Sequence, residues 1–420
     1  MTLGRVATAP TFSALRHRFY RRFWWGGLVS LTGSWVRITA LSWLVYDMTG
    51  SPLMLGTVTF ANTIPTMLLS LFGGALADRS EKRYVMIATQ VGFMAMAAGL
   101  AVLTLTGRIE VWHILVFSVG GGIVGALDMP ARQSYIPYLV GREDLTNAIA
   151  LNSAMFNGSR IVGPAVAGLI INMYGPRGGP GWSFAINAVT YLAVIGALAS
   201  IPVRSRPSDG ARKPVLDDVR EGLVYAWQSG ALRTLLGLLA VAGIFGLTYT
   251  VLMPVFARDV LGVEARGFGM LMTASGVGST IGALAMASVR PARPLAAVVG
   301  LLAAFTVLMV AFAVNGNYVL ALVLLVGVSG TMTAYMSVSN TTIQMIVPDA
   351  LRGRVMSLYV LALFGTGPLG GLLAGSLASV LGAQVTVLVS AGVCGAAAFL
   401  TWVGGRRDVR RPALSAEGQP

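Results

Sequence analysis

Gly74-Ala75-Leu76-Ala77-Asp78-Arg79-Ser80-Glu81-Lys82-Arg83 sets five charged residues between two long apolar runs, 53–77 and 84–106. An α-helix rises about 1.5 Å per residue, so roughly 20 apolar residues cross the hydrocarbon of a bilayer. Each flanking run is long enough for that. The stretch therefore reads as a short charged loop between two membrane-crossing helices, and the rest of the chain repeats the pattern. Apolar stretches of similar length fall at 23–46, 53–77, 84–106, 111–131, 145–173, 182–201, 232–256, 267–289, 295–314, 318–346, 354–381 and 383–403. Turn-forming clusters interrupt them, such as Thr49-Gly50-Ser51-Pro52, Gly175-Pro176-Arg177-Gly178-Gly179-Pro180 and Asn315-Gly316-Asn317. The expectation is an all-α integral membrane protein of twelve transmembrane helices.

Composition agrees with that reading. Of 420 residues, 55% are hydrophobic and 11% charged, whereas soluble domains carry about 25% charged residues. That excludes an ordinary soluble enzyme, and the apolar excess excludes a disordered chain. The single cysteine, Cys394, and the two histidines, His17 and His113, offer no thiolate or imidazole cluster for a metal. No cofactor and no metal is expected.

The net charge of +14 admits two readings, nucleic-acid binding or the cationic bias that orients membrane proteins. Placement decides between them. With the N-terminus inside, 24 of the 30 Lys and Arg fall in the loops and tails on that side, and four (Arg108, Arg177, Arg258 and Arg266) fall on the other. Arg37 and Arg160 lie within spans. No one face collects the charge, so nucleic acid is not a partner. A cell (inner) membrane protein with both termini cytoplasmic is expected. Arg21-Arg22 flanks the first span as an inside anchor, since that span is too long for a signal-peptide core.

Residues 202–230 break the apolar pattern and divide the chain. The expected organisation is an N-terminal arm 1–22, a first six-helix bundle 23–201, a cytoplasmic loop 202–230, a second bundle 231–403 and a basic tail 404–420. From Val215 to Trp227 apolar residues recur at helical spacing, as in a helix lying on the membrane surface. The halves echo each other: Gly163-Pro164 and Gly367-Pro368 fall in the fifth span of each, and Gly74-Ala75-Leu76-Ala77 is matched by Gly282-Ala283-Leu284-Ala285. Parallel six-span repeats around a midplane cavity are a transporter architecture.

The stretch 74–83 resembles the loop signature of the major facilitator superfamily, with Glu81 where the family usually has glycine. The likeness extends over twelve spans, the central loop and the Gly-Pro of span five. Leu44-Val45-Tyr46-Asp47-Met48-Thr49-Gly50-Ser51-Pro52, Leu127-Asp128-Met129-Pro130-Ala131-Arg132-Gln133 and Asn147-Ala148-Ile149-Ala150-Leu151-Asn152 resemble the branch containing macrolide-efflux and enterobactin-exporter proteins. The resemblance implies a monomeric secondary transporter working by alternating access. Its substrate would be an amphipathic small molecule of drug or siderophore type, and the coupled ion a proton moving in antiport.

Candidate residues follow. Gly74, Asp78, Arg79 and Arg83 form a gating loop, in which Asp78 would face the N-terminal end of span eleven; for Arg79, Lys82 and Arg83 the alternative is that they only fix topology. Arg160, Gly163, Pro164, Gly367 and Pro368 resemble the antiporter motif of span five, where a lost backbone donor weakens the helix locally. Arg37, Asn62, Gln90, Asn157, Tyr249, Tyr335, Asn340 and Gln344 are polar or aromatic residues inside spans. They serve as cavity contacts or as interhelical hydrogen-bond partners. For Arg37 the alternative is snorkelling to the outer interface. Asp128 is the coupling candidate, with pairing to Arg132 as the other reading. Two intramembrane cations and no midplane acid favour an anionic or neutral amphipathic substrate.

No GxxxxGK[ST] occurs, so the chain itself does not hydrolyse ATP. No nucleophile–base pair stands at one depth, so an enzyme is not expected. Uptake within the same superfamily and a non-transporting membrane sensor are the alternatives to export.

Overall fold

The computed structural model describes residues 12–203, 205, 215–288 and 291–409, without the side chains of 71, 75, 77, 78, 215–220, 287, 288, 350 and 405–409. The described residues form helices and no strand. After a short 3-10 turn at Ser13–Arg16 come α1 (Arg18–Thr49), α2 (Pro52–Arg79), α3 (Lys82–Leu105), α4 (Val111–Leu139) and α5 (Leu145–Ala199). The second half holds α6 (Val215–Gln228), α7 (Gly230–Val260), α8 (Ala265–Ser288), α9 (Pro294–Val314), α10 (Tyr318–Ile346), α11 (Asp349–Leu381) and α12 (Ala383–Val409). Eleven of these, all but α6, contain segments long and apolar enough to cross a membrane.

The 55 residues of α5 would run about 80 Å as one straight helix, more than twice a bilayer's hydrocarbon. Gly175 breaks it. Its φ of 79° and ψ of 172° belong to a region that only glycine occupies without strain. Helix resumes at once, because Pro176 has the φ a first helical turn needs and no N–H to leave unpaired. The cluster at 175–180 therefore belongs largely to the second limb of α5. Gly382 makes the same kind of break between α11 and α12, with φ 81° and ψ 161°.

The chain divides into two compact units: residues 1–48, 61–211 and 264–273, and residues 49–60, 212–263 and 274–420. In unit 1, Tyr20, Phe23, Met86, Tyr135, Ile136, Tyr191, Val194 and Leu198 form one buried cluster. The Tyr20 hydroxyl donates to the Ala148 carbonyl at 2.8 Å, and Tyr135 donates to Val203 at 2.9 Å. The N-terminal turn docks on the start of α5: Ser13 Oγ donates to Asp144 Oδ1 at 2.5 Å, and the amide of Ala14 donates to Asn147 Oδ1 at 3.0 Å.

Lipid tails are as apolar as leucine, so helices in a bilayer associate through close packing and hydrogen bonds rather than by escape from water. Small residues carry that packing in both units. In unit 1 a Cβ on Gly269 of α8 would lie 2.5 Å from the Pro164 carbonyl oxygen and 2.9 Å from the Gly168 Cα. In unit 2 a Cβ on Gly56 of α2 would lie 2.4 Å from the Gly371 oxygen, and one on Gly375 would lie 2.6 Å from the Pro52 oxygen. Gly168 precedes Gly175 by seven residues, and Gly375 precedes Gly382 by seven. Counted from these breaks, Pro164 corresponds to Gly371, and the two Gly-Pro pairs are offset by three residues.

Unit 2 contains three stretches of wide π turns, 242–246 and 256–260 in α7 and 361–365 in α11. The first and third cross at Gly243, where a Cβ would lie 2.3 Å from Thr366 Oγ1 and 2.6 Å from the Leu363 oxygen. The amphipathic α6 turns Gly222 and Ala226 inward, and its Glu221 pairs with Arg354 of α11 at 2.5 Å. Leu223, Val224 and Trp227 face outward, and the Arg233 guanidinium stands 5.8 Å from the Trp227 ring.

Candidate functional site

Intramembrane charge is costly, so where the fold places it is informative. Unit 1 brings three charged residues, Arg37 of α1 and Asp128 and Arg132 of α4, to the wall of one cavity of about 390 Å³. That size is within the range of small-molecule sites. Helical spacing accounts for the first contact: four residues apart on α4, Asp128 and Arg132 share a face, and Arg132 Nε lies 3.3 Å from Asp128 Oδ2. The other carboxylate oxygen accepts from Thr89 Oγ1 and from Gln90 Nε2 of α3, both at 2.7 Å. Asp128 is thus held by one cation and two neutral donors. The Arg132 guanidinium also stands 5.7 Å from the Phe23 ring.

The remaining wall is mixed. Phe93, Phe156 and Tyr191 supply rings, Met129 and Met155 supply thioethers, and Ser30, Ser34, Gln133 and Asn152 supply polar atoms. Asn152 Oδ1 is buried and has no hydrogen-bond partner among the described residues. A second, narrower pocket runs from Arg37 between Phe93, Met96, Leu100 and Phe117. The lining can hold an amphipathic solute by ring and methionine contacts, orient it through polar groups, and present a carboxylate capable of taking a proton.

The other sequence candidates occupy other places. Asn62 Nδ2 donates to the Ser118 carbonyl at 3.1 Å and ties α2 to α4. Asn157 donates to Ser153 of its own helix, and Gln344 donates to Asn340 of its own helix. In unit 2 the Tyr249 hydroxyl is 3.0 Å from Ser329 Oγ, which is 2.7 Å from Ser275 Oγ, a buried hydroxyl chain joining α7, α8 and α10. Tyr335 is buried, its hydroxyl without a hydrogen-bond partner among the described residues. Arg160 stands 5.8 Å from the Trp35 ring, and a Cβ on the neighbouring Gly163 would meet Trp35 Cβ at 2.4 Å. Pro368 is buried in the first turn of helix after the π turn of α11, whereas Gly367 faces open space.

In the charged loop, the side chain of Asp78 lies outside the described residues, Gly74 faces open space and Arg79 is exposed. Arg83 sits at the C-terminal end of α5, where its Nε and Nη2 donate to the carbonyls of Leu198 and Ala199, both at 2.8 Å. The Leu198 carbonyl also accepts from the Ile201 amide at 3.2 Å, and a cation at this helix end complements its last carbonyls. Lys82 is buried, with its ammonium 5.6 Å from the Tyr138 ring and its amide donating to Ser205 Oγ. Sequence reasoning singled out neither that cap nor Thr89, Phe93, Asn152 and Tyr191 as cavity or carboxylate contacts. Of its cavity set, Arg37 and Gln90 come to the wall beside Asp128.

The profile of the transmembrane secretion effector family matches residues 9–410. The multidrug efflux pump Tap of Mycolicibacterium fortuitum is 31% identical over 378 residues, covering 86% of this chain and 89% of its own. The enterobactin exporter EntS of Escherichia coli O1:K1 / APEC is 27% identical over 408 residues, covering 94% and 91%. The crystal structure of nucleoside transporter NupG superposes with a TM-score of 0.73 at 12% identity, over 92% of this chain and 98% of that one. The structural likeness is one of fold.

Proposed function

The chain belongs to the transmembrane secretion effector family of the major facilitator superfamily, and from that premise we propose that it exports amphipathic small molecules by proton-driven alternating access. Membership makes it a multi-pass membrane transporter rather than an enzyme. In our reading it acts as a monomer in the inner membrane and crosses it twelve times, the two limbs of α5 being separate crossings, with both termini cytoplasmic. The relatives named for drug efflux and enterobactin export support the direction and the solute class.

The observation that carries the reading is the cavity of unit 1, where Asp128 meets Arg132, Thr89 and Gln90 on a wall otherwise built of rings, methionines and small polar groups. Proton uptake by Asp128 would release Arg132 and change the charge that a solute meets. Two of the carboxylate's hydrogen bonds come from α3 and the ion pair from α4, so one protonation event would loosen the contact between two helices. We assign coupling to Asp128 on that basis, with gating at the 78–83 loop and bending at Gly163-Pro164 as the accompanying elements.

The test is accumulation of drugs and siderophores in inside-out vesicles, with and without a protonophore. Export predicts accumulation that collapses with the protonophore. Asp128→Asn should abolish the proton dependence while leaving the folded protein at normal abundance. Accumulation unaffected by the protonophore would refute proton coupling, and a proton-dependent Asp128→Asn variant would refute the assignment.

A further inference from the structure

We propose that Arg37 is an anion-recognition residue, which makes amphipathic organic acids, above all carboxylates, the preferred solutes of the unit 1 cavity. This rests on the reading that the cavity is where the solute sits. Three charged side chains line it. Two of them, Asp128 and Arg132, form an ion pair at 3.3 Å. Arg37 takes no part in that pair. Among the described residues no carboxylate lies within ion-pair distance of it, and no carbonyl or ring accepts its guanidinium. The cavity therefore carries one uncompensated positive charge.

Arg160, the other intramembrane arginine, differs in kind, because its guanidinium is 5.8 Å from the Trp35 ring. An arginine inside a membrane span is expensive and ordinarily faces a partner or a cavity. Arg37 faces two pockets, the main cavity and the narrower cleft between Phe93, Met96, Leu100 and Phe117. A planar guanidinium offers two parallel N–H donors that match a carboxylate. The main cavity beside it, about 390 Å³ and walled by Phe93, Met129, Met155, Phe156 and Tyr191, would take a hydrophobic ring or chain attached to that group. Asn152 Oδ1, buried and unpartnered in the same lining, is placed to accept from a donor on the solute. Charge, ring-walled cavity and acceptor together describe an aromatic or aliphatic acid carrying a hydroxyl or amide.

The test compares 2-naphthoate with methyl 2-naphthoate, which share a ring system and differ in charge. Equilibrium dialysis of the purified full-length protein in nanodiscs, blanked against empty nanodiscs, gives both affinities without requiring transport. The expected result is at least tenfold tighter binding of the acid by the unaltered protein. Arg37→Gln should bring the acid down to the ester and leave the ester unchanged, and Arg37→Lys should restore part of the difference. Equal affinities, no binding of either compound, or a preference for the acid that survives Arg37→Gln would each overturn the inference. The acid–ester comparison needs no variant, so a poorly folding substitution does not shield it. Vesicle transport of other solutes would stand unaffected by parity here, which separates failure of this inference from failure of the export reading.

Discussion

Replacing Arg83 with alanine tests whether the charged loop supplies a structural cap to α5. The substitution deletes two hydrogen bonds of 2.8 Å from a guanidinium to the carbonyls of Leu198 and Ala199. Bonds to a charged group contribute about 1.5–3 kcal/mol each when buried, and less when water competes. The bond to Leu198 is partly buried and the bond to Ala199 exposed, so the loss comes to about 2 kcal/mol. That corresponds to about a 30-fold change in an opening equilibrium. The opening concerned is fraying of the last turn of α5. Amide hydrogen exchange followed by mass spectrometry should show residues 195–201 exchanging about 30-fold faster in Arg83→Ala, with the rest of α5 unchanged. Arg83→Lys keeps a cation at the helix end but loses the fork, and should lie between the two. If exchange at 195–201 is unchanged while transport falls, the cap is unimportant and Arg83 acts only in gating.

Gly269→Ala places a methyl 2.5 Å from the Pro164 carbonyl oxygen and should cost about 2 kcal/mol or more, read as a lowered thermal unfolding temperature. Gly300→Ala, where nothing lies within 4 Å, should leave it unchanged or raised. Gly175→Ala forces a side chain into backbone angles that glycine alone tolerates and should destabilise by about 1–3 kcal/mol in the same assay. The Asp144 carboxyl is held below the usual carboxylate range, first by the Ser13 hydroxyl and then by His17, whose Nε2 is 2.7 Å from it. A carboxyl with a lowered folded-state pKa stabilises above its ordinary pKa of about 4, and that contribution fades as pH falls through the lowered value. Exchange protection of residues 13–17 should accordingly decline only below about pH 4, and Asp144→Asn should remove that dependence.

Hydropathy made the membrane fold legible, because crossing length and apolar content are local properties. The pairing of Asp128 with Arg132 was legible too, since four residues on a helix always share a face. The other partners of Asp128 were not. Thr89 and Gln90 stand on another helix, and nothing in their neighbourhood of sequence marks them as donors to it. Arg83 reads as one of several inside cations, whereas the carbonyls it meets lie more than a hundred residues further along. Pro176 reads as a breaker, but a proline in the first turn begins a helix, so the loop after span five shrinks to Gly175. The two Gly-Pro pairs look equivalent in sequence, and their offset appears only when each is measured from the glycine that ends its helix.

The π turn at 361–365 stores one surplus residue in a membrane helix. A regular α-helix turns about 100° per residue. Deleting one residue from 361–365 would let the turn tighten to ordinary α spacing and leave both flanking segments aimed as before. Deleting one between Gly371 and Gly375 would instead swing one end of the helix by that 100° and carry its small-residue face away from Gly56. Tolerance of shortening in this span is therefore concentrated in a single turn.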